Sequence, residues 1–123
     1  MLGYVMLGTN DFDKSVAFYE TLLGEMGAKR ILEGDSFVAW GVDPNQAGLE
    51  VCKPHDGKPA TVGNGTMAAI ACDKPETVDK LYEKAISLGA TDEGAAGPRG
   101  EKFYAGYFRD LDGNKLNFFC IPG

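Results

Sequence analysis

Apolar residues fall into two runs of helical spacing, each preceded by one short apolar stretch and followed by three. In the first run Phe12, Val16, Tyr19, Leu23 and Met26 recur every three or four residues, which puts them on one helix face. Asn10 is placed to cap this helix. Asp11 and Asp13 suit the positive end of its dipole, and Gly24 and Gly27 mark its stop. Residues 1–8, with Leu2, Val5, Met6 and Leu7, read as a strand. Residues 28–33, 37–42 and 48–53 read as three more, separated by the turn-like Gly34-Asp35 and Asp43-Pro44-Asn45-Gln46.

Residues 54–65 carry Pro54, Gly57, Pro59, Gly63 and Gly65 without periodicity and read as a linker. Beyond them the pattern restarts. A strand is expected over 66–72, then a helix capped by Asp73, with Glu76 as the reciprocal partner of a capping box and Pro75 in the first turn. Its apolar stripe is Val78, Leu81, Tyr82, Ala85 and Leu88, and Gly89 ends it. Strands near Ala90, over 102–109 and over 114–121 complete the unit, with Asp112-Gly113 as a hairpin turn. The halves align by subtraction. Tyr4 falls on Met67 and Tyr19 on Tyr82, and further along Trp40 falls on Tyr107 and Glu50 on Asn117. One unit of roughly 55 residues barely buries its own sheet face. The expected architecture is therefore α+β: tandem βαβββ modules, about 1–53 and 66–121, forming a curved mixed sheet with a half-barrel cleft and helices outside.

Composition narrows the classes. The 123 residues carry 12 Lys+Arg against 18 Asp+Glu, a formal net charge of −6, which repels nucleic acid and anionic lipid. No stretch approaches the ~18 apolar residues of a spanning helix. The first basic residue, Lys14, follows Asp11 and Asp13, unlike a basic secretory leader. Cys52, Cys72 and Cys120 are odd in number and lack C-x-x-C spacing, which suits free thiols in a reducing cytoplasm.

Four stretches carry a resemblance: Tyr4-Val-Met-Leu-Gly followed by Asp11-Phe-Asp-Lys-Ser-Val-Ala-Phe-Tyr19; Leu49-Glu50-Val51; Gly65-Thr-Met67; and Phe108-Arg-Asp-Leu-Asp-Gly-Asn-Lys-Leu116-Asn117. With the tandem βαβββ order, the chain resembles the vicinal oxygen chelate superfamily, which includes glyoxalase I, bleomycin-resistance proteins and extradiol dioxygenases. The resemblance implies a homodimer and a metal held by four cleft-facing strand positions, usually His or Gln and Glu in the first unit and His and Glu in the second. Those positions fall on Tyr4, Glu50, Met67 and Asn117, and only Glu50 keeps the type. Phenol and thioether are poor ligands for Zn²⁺, Ni²⁺ or Mg²⁺, and a carboxamide is a weak donor, so no tightly held metal and no other cofactor is expected.

The remaining candidates each have a plain alternative. Glu50, between Leu49 and Val51, faces away from the helix side by strand alternation and reads as a hydrogen-bond acceptor or general base, or as a solvated edge carboxylate. Tyr4 and Asn117 share its inferred direction, and Met67 reads as an apolar wall. Trp40, Phe37, Tyr104 and Tyr107 lie on the third strand of each unit. Those facing inward would stack on a flat ligand, and the sequence leaves the parity open. Arg99, in the longer connection of the second unit, could reach over the cleft to an anionic ligand, or be a surface arginine. His55, the single histidine, reads first as a solvated loop residue, and a Cys52–His55 pair lacks an orienting third group. Small-molecule binding in the cleft is the leading expectation, and the alternative is a glyoxalase- or dioxygenase-type enzyme (lyase, isomerase or oxygenase) using Glu50 as base or as a residual ligand of a divalent metal, which is disfavoured.

Overall fold

The computed structural model describes residues 1–122, and the chain divides into two compact units, Met1–Val62 and Gly63 onward. The division falls inside the segment read as a linker.

The first unit contains β1 (Tyr4–Gly8), α1 (Phe12–Gly24), β2 (Lys29–Glu33), β3 (Phe37–Gly41) and β4 (Gly48–Cys52). Its strands form a four-stranded sheet in the order β1-β4-β3-β2, with β1 parallel to β4 and the other pairs antiparallel. The second unit repeats the plan with β5 (Ala68–Ala71), α2 (Pro75–Ser87), β6 (Thr91–Pro98), β7 (Tyr104–Arg109) and β8 (Lys115–Cys120), in the order β5-β8-β7-β6. The fold is α+β and of the expected element order. Its mixed sheet consists of two four-stranded sheets, one per unit, because every strand of a βαβββ module pairs within that module.

Local details depart from the sequence reading. Asp11, not Asn10, caps α1: its carboxylate accepts the Lys14 amide at 3.2 Å. Asn10 instead clamps the backbone of Ala60, donating from Nδ2 to the Ala60 oxygen (3.1 Å) and accepting the Ala60 amide at Oδ1 (2.6 Å). This ties the linker back beside Gly8, where a Cβ would come 3.0 Å from that of Ala60. The expected capping box on α2 does not form. Lys74 is the N-cap, and Asp73 accepts the Thr77 hydroxyl at 2.6 Å. Strand β6 runs for eight residues, longer than expected near Ala90, through a glycine-rich sequence. As an edge strand paired only to β7, it tolerates Gly94, Gly97 and Pro98 through two register shifts.

In the first unit Ser15, Phe18, Tyr19, Leu22 and Leu23 form the buried face of α1, and Leu7, Val38, Trp40, Leu49 and Val51 form the buried side of the sheet. The buried arc is centred between the 18/22 and 19/23 rows, so Phe12, Val16 and Met26 of the expected stripe are only half-buried. In the second unit Val78, Leu81 and Ala85 are the fully buried positions of α2, and the helix packs on β6, β7 and β8. Gly106 lets Tyr82 approach: a Cβ there would stand 2.9 Å from the Tyr82 ring.

Candidate functional site

Strand pairing decides which side chains share the sheet face opposite α1. Met6 and Ala39 lie directly abreast of Glu50, and Gly8 and Phe37 abreast of Cys52. Partners in register project to the same side, as do residues two apart on one strand. Tyr4, Met6, Phe37, Glu50 and Cys52 therefore share one face. A β-bulge between Arg30 and Leu32 adds β2 to it: Leu32 lines the same pocket, and Ile31 reaches over Gly41 and Gly48. The result is a pocket of about 560 Å³ bounded by Tyr4, Met6, Leu32 and Phe37 on its apolar walls and by Glu50 and Cys52 at the sheet. Ser36, Lys53, Pro54 and His55 border it from the adjoining loops.

Glu50 is the polar centre of this pocket. It is 5% exposed and has no hydrogen-bond or ion-pair partner among the described residues. Burial alone pushes its carboxyl up from the ordinary 4.5, and no positive side chain pulls it back. Lys53, the lysine that borders the pocket, places its ammonium 5.5 Å from the centroid of the Phe12 ring. Cys52, also buried, has its thiol pushed up by burial and then by the charge of Glu50, so it is a poor nucleophile. His55 borders the pocket as an exposed side chain.

The other candidates fall elsewhere. Trp40 belongs to the core rather than the pocket. It is 1% exposed, its ring centroid is 5.9 Å from that of Tyr19, and its Nε1 donates to Glu20 at 3.2 Å. Strand parity explains this: Phe37 and Ala39 point to the pocket side, and Val38 and Trp40 to the helix. Glu20 also accepts from Arg30 Nε at 2.6 Å, and that bond leads in holding its carboxyl below the ordinary value.

In the second unit Asn117 lies abreast of Tyr107 and Ala69, on the face opposite α2. It is 1% exposed, and its Oδ1 is the one buried side-chain oxygen or nitrogen without a partner among the described residues. Met67 stands one residue before β5 and is 41% exposed. Arg99 is fastened to its own strand rather than free to swing, donating from Nη2 to the Ala95 oxygen (2.7 Å) and from Nη1 to the Gly97 oxygen (3.0 Å). It rests 5.4 Å from the Tyr107 ring centroid, and Lys115 lies 5.6 Å from it. Tyr104 points the other way and donates its hydroxyl to Asp79 on α2 at 2.6 Å.

The structure thus brings Tyr4 and Glu50 into one pocket, with Met67 and Asn117 belonging to the second unit. Sequence reasoning left Met6 and Leu32 out of the site. Met6 was accessible by counting two from Tyr4, whereas Leu32 depends on a bulge that leaves no sequence signature. The donor set does not fit a tightly held catalytic divalent ion. Of the four positions, the first unit supplies one carboxylate and a half-exposed phenol, and the second a thioether and a carboxamide. No group of three or more His, Cys, Asp or Glu side chains converges among the described residues.

Comparison with known proteins supplies the lineage. Residues 1–118 match the family model of the glyoxalase/bleomycin resistance protein/dioxygenase superfamily. A glyoxalase/bleomycin resistance protein from Albidiferax ferrireducens is 34% identical, with a TM-score of 0.90 and 99% of each chain covered. A family enzyme from Burkholderia phytofirmans (20% identity, TM-score 0.77, 98% of each chain) shares the fold. So does a lactoylglutathione lyase from Agrobacterium tumefaciens (19% identity, TM-score 0.72, 98% of this chain and 92% of that one). No curated protein matches. By sequence over nearly its whole length and by fold in both units, the chain belongs to the glyoxalase/bleomycin resistance protein/dioxygenase superfamily.

Proposed function

We propose that this chain binds a small organic molecule in the pocket of its first unit, with no tightly held metal, and that Glu50 is the polar group that fixes it. The observation that carries this reading is a carboxylate on a residue only 5% exposed, open to the pocket and without a hydrogen-bond or ion-pair partner among the described residues. Burying a charge without a partner costs stability, and a site that retains one is offset when a ligand supplies the missing donor. Pockets of this size are typical of small-molecule sites, in which apolar walls give affinity and a few polar groups give orientation. A library screen by thermal shift tests the proposal. Occupants of the pocket raise the melting temperature of the native chain and raise that of Glu50→Gln less. A library without a hit, or hits indifferent to Glu50→Gln, overturns it.

One observation favours a second reading. A carboxyl pushed upward by burial is poised for general-base work, so Glu50 could abstract a proton from the bound molecule in a glyoxalase- or dioxygenase-type enzyme. Turnover that falls by two or more powers of ten in Glu50→Gln while ligand affinity changes little separates catalysis from binding. A homodimer in a cytoplasmic setting completes the proposal, as implied by the family resemblance. Light scattering on the purified chain at micromolar concentration tests the dimer.

A further inference from the structure

The binding reading leaves open what kind of molecule Glu50 awaits, and the pocket is specific on this point. The side chains abreast of Glu50 on both neighbouring strands, Met6 and Ala39, offer no hydrogen-bond donor. The two nitrogen-bearing side chains that border the pocket, Lys53 and His55, are exposed loop residues, and the Lys53 ammonium lies 5.5 Å from the centroid of the Phe12 ring. The walls on the sheet side are soft and electron-rich, with the rings of Tyr4 and Phe37 and the thioether of Met6 beside Leu32, while the polar Ser36, Lys53 and His55 stand at the loop border. A carboxylate flanked by aromatic faces attracts positive charge from both kinds of group and repels anions.

We propose that the occupant of this pocket is an organic cation, a protonated amine carried on a compact apolar or aromatic body. This rests on the binding reading and goes further by naming the ligand class. A neutral alcohol or amide would give Glu50 a hydrogen bond and leave its charge uncompensated. An ammonium supplies both, and its apolar body displaces water from the walls. The volume of about 560 Å³ accommodates a body of one or two rings.

The test is a calorimetric titration of the full chain with three molecules sharing one apolar body: benzylammonium, benzyl alcohol and benzoate. The expected order is benzylammonium at least tenfold tighter than benzyl alcohol, with benzoate weakest. Glu50→Gln, checked for native circular dichroism, reduces benzylammonium to the level of the alcohol. A chain of net charge −6 also attracts cations diffusely. That attraction fades at 0.5 M salt and is nearly indifferent to one substitution, whereas the pocket contribution survives salt and vanishes in Glu50→Gln. Benzyl alcohol binding as tightly as the ammonium, benzoate binding best, or a cation preference that persists in Glu50→Gln each overturns the proposal. In the first of these cases, Glu50-dependent alcohol binding leaves the small-molecule reading intact. Failure of all three probes, together with an empty library screen, overturns both.

Discussion

Replacing Glu50 by Gln removes a charge that the fold holds without compensation, so the ligand-free chain should become more stable rather than less. The residue is 5% exposed, its carboxylate opens onto the pocket, and it has no hydrogen-bond or ion-pair partner among the described residues. Burying a polar group without a hydrogen bond costs about 1–3 kcal/mol by mutational measures, more when it is charged. The Gln amide keeps the polar part of that cost and sheds the charged part, so a net gain of about 1 kcal/mol is expected at pH 7. For a chain this long that is about 4 °C in melting temperature. The pH dependence identifies the cause. Below pH 4 the Glu50 carboxyl is protonated in folded and unfolded chains alike, and the two proteins should be nearly equal. As pH rises through 4.5 the unfolded chain ionises first, because burial holds the folded group higher, and the native protein loses stability relative to the variant. The gap should open above pH 4.5 and level off once the folded carboxyl has also ionised. Urea titrations of both proteins at pH 4, 5, 6 and 7 measure it. A variant less stable than the parent at pH 7, or a gap independent of pH, would show that Glu50 is satisfied in the ligand-free fold and would remove the basis of the site.

Three further predictions address the scaffold. Gly106→Ala places a methyl 2.9 Å from Cδ1 and 3.1 Å from Cβ and Cγ of Tyr82, and should destabilise the second unit by about 1–3 kcal/mol. An unchanged urea midpoint would mean that α2 shifts freely. Asp110→Ala should cost about 2–4 kcal/mol. This buried carboxylate accepts the amides of Asp112 and Asn114 at 2.9 Å and Asn114 Nδ2 at 3.0 Å, which together shape the β7–β8 loop. Asp110→Asn should recover part of that loss in the same denaturation assay. The three thiols should react slowly with a disulfide reagent at pH 8 in the native chain and rapidly in denaturant. Burial leads in pushing Cys72 up to about 11 and in raising Cys52 and Cys120, and nearby acidic groups add to each. A native thiol reacting at the rate of a free peptide would contradict this.

The order of elements was legible because each signal is local. Helix spacing, a proline in the first turn of α2 and glycine stops act within a few residues, and they recur with the same meaning in both units. The site was legible only in part, because it depends on pairing across strands. Alternation along β4 puts Cys52 on the side of Glu50, and alternation along β1 puts Met6 on the side of Tyr4. It says nothing of β3, where Phe37 and Trp40 are three apart and must face opposite ways. Only the register, with Ala39 abreast of Glu50 and Trp40 abreast of Leu49, assigns Phe37 to the pocket and Trp40 to the core. The expectation that Arg99 could reach a ligand failed for a related reason. Its guanidinium is captured by carbonyls of the irregular strand β6, whose register shifts arise from glycines that read in sequence as a loop.

The two units also show how a duplicated scaffold can diverge at equivalent positions. Glu50 and Asn117 occupy matching places on β4 and β8, each abreast of β3 or β7 and of the parallel first strand, and both are almost wholly buried. Neither finds a donor within the described chain: Glu50 stands without a partner, and Asn117 leaves Oδ1 orphaned. Apolar side chains of similar size would relieve both costs, and strands packed on one face by Leu, Val and Phe impose no local requirement for polarity on the other. Two polar groups at one structural address, each short of its partner, are therefore poorly explained as products of folding and better explained by something the fold is built to hold. The difference between them bears on what that is. Only the first unit retains a full charge, and it does so in the unit whose face carries the apolar pocket. An orientation device alone could have used an amide in both places. Keeping the carboxylate beside Tyr4, Phe37 and Met6 is the costlier choice in the empty chain, and it is the one that the proposed preference for an organic cation requires.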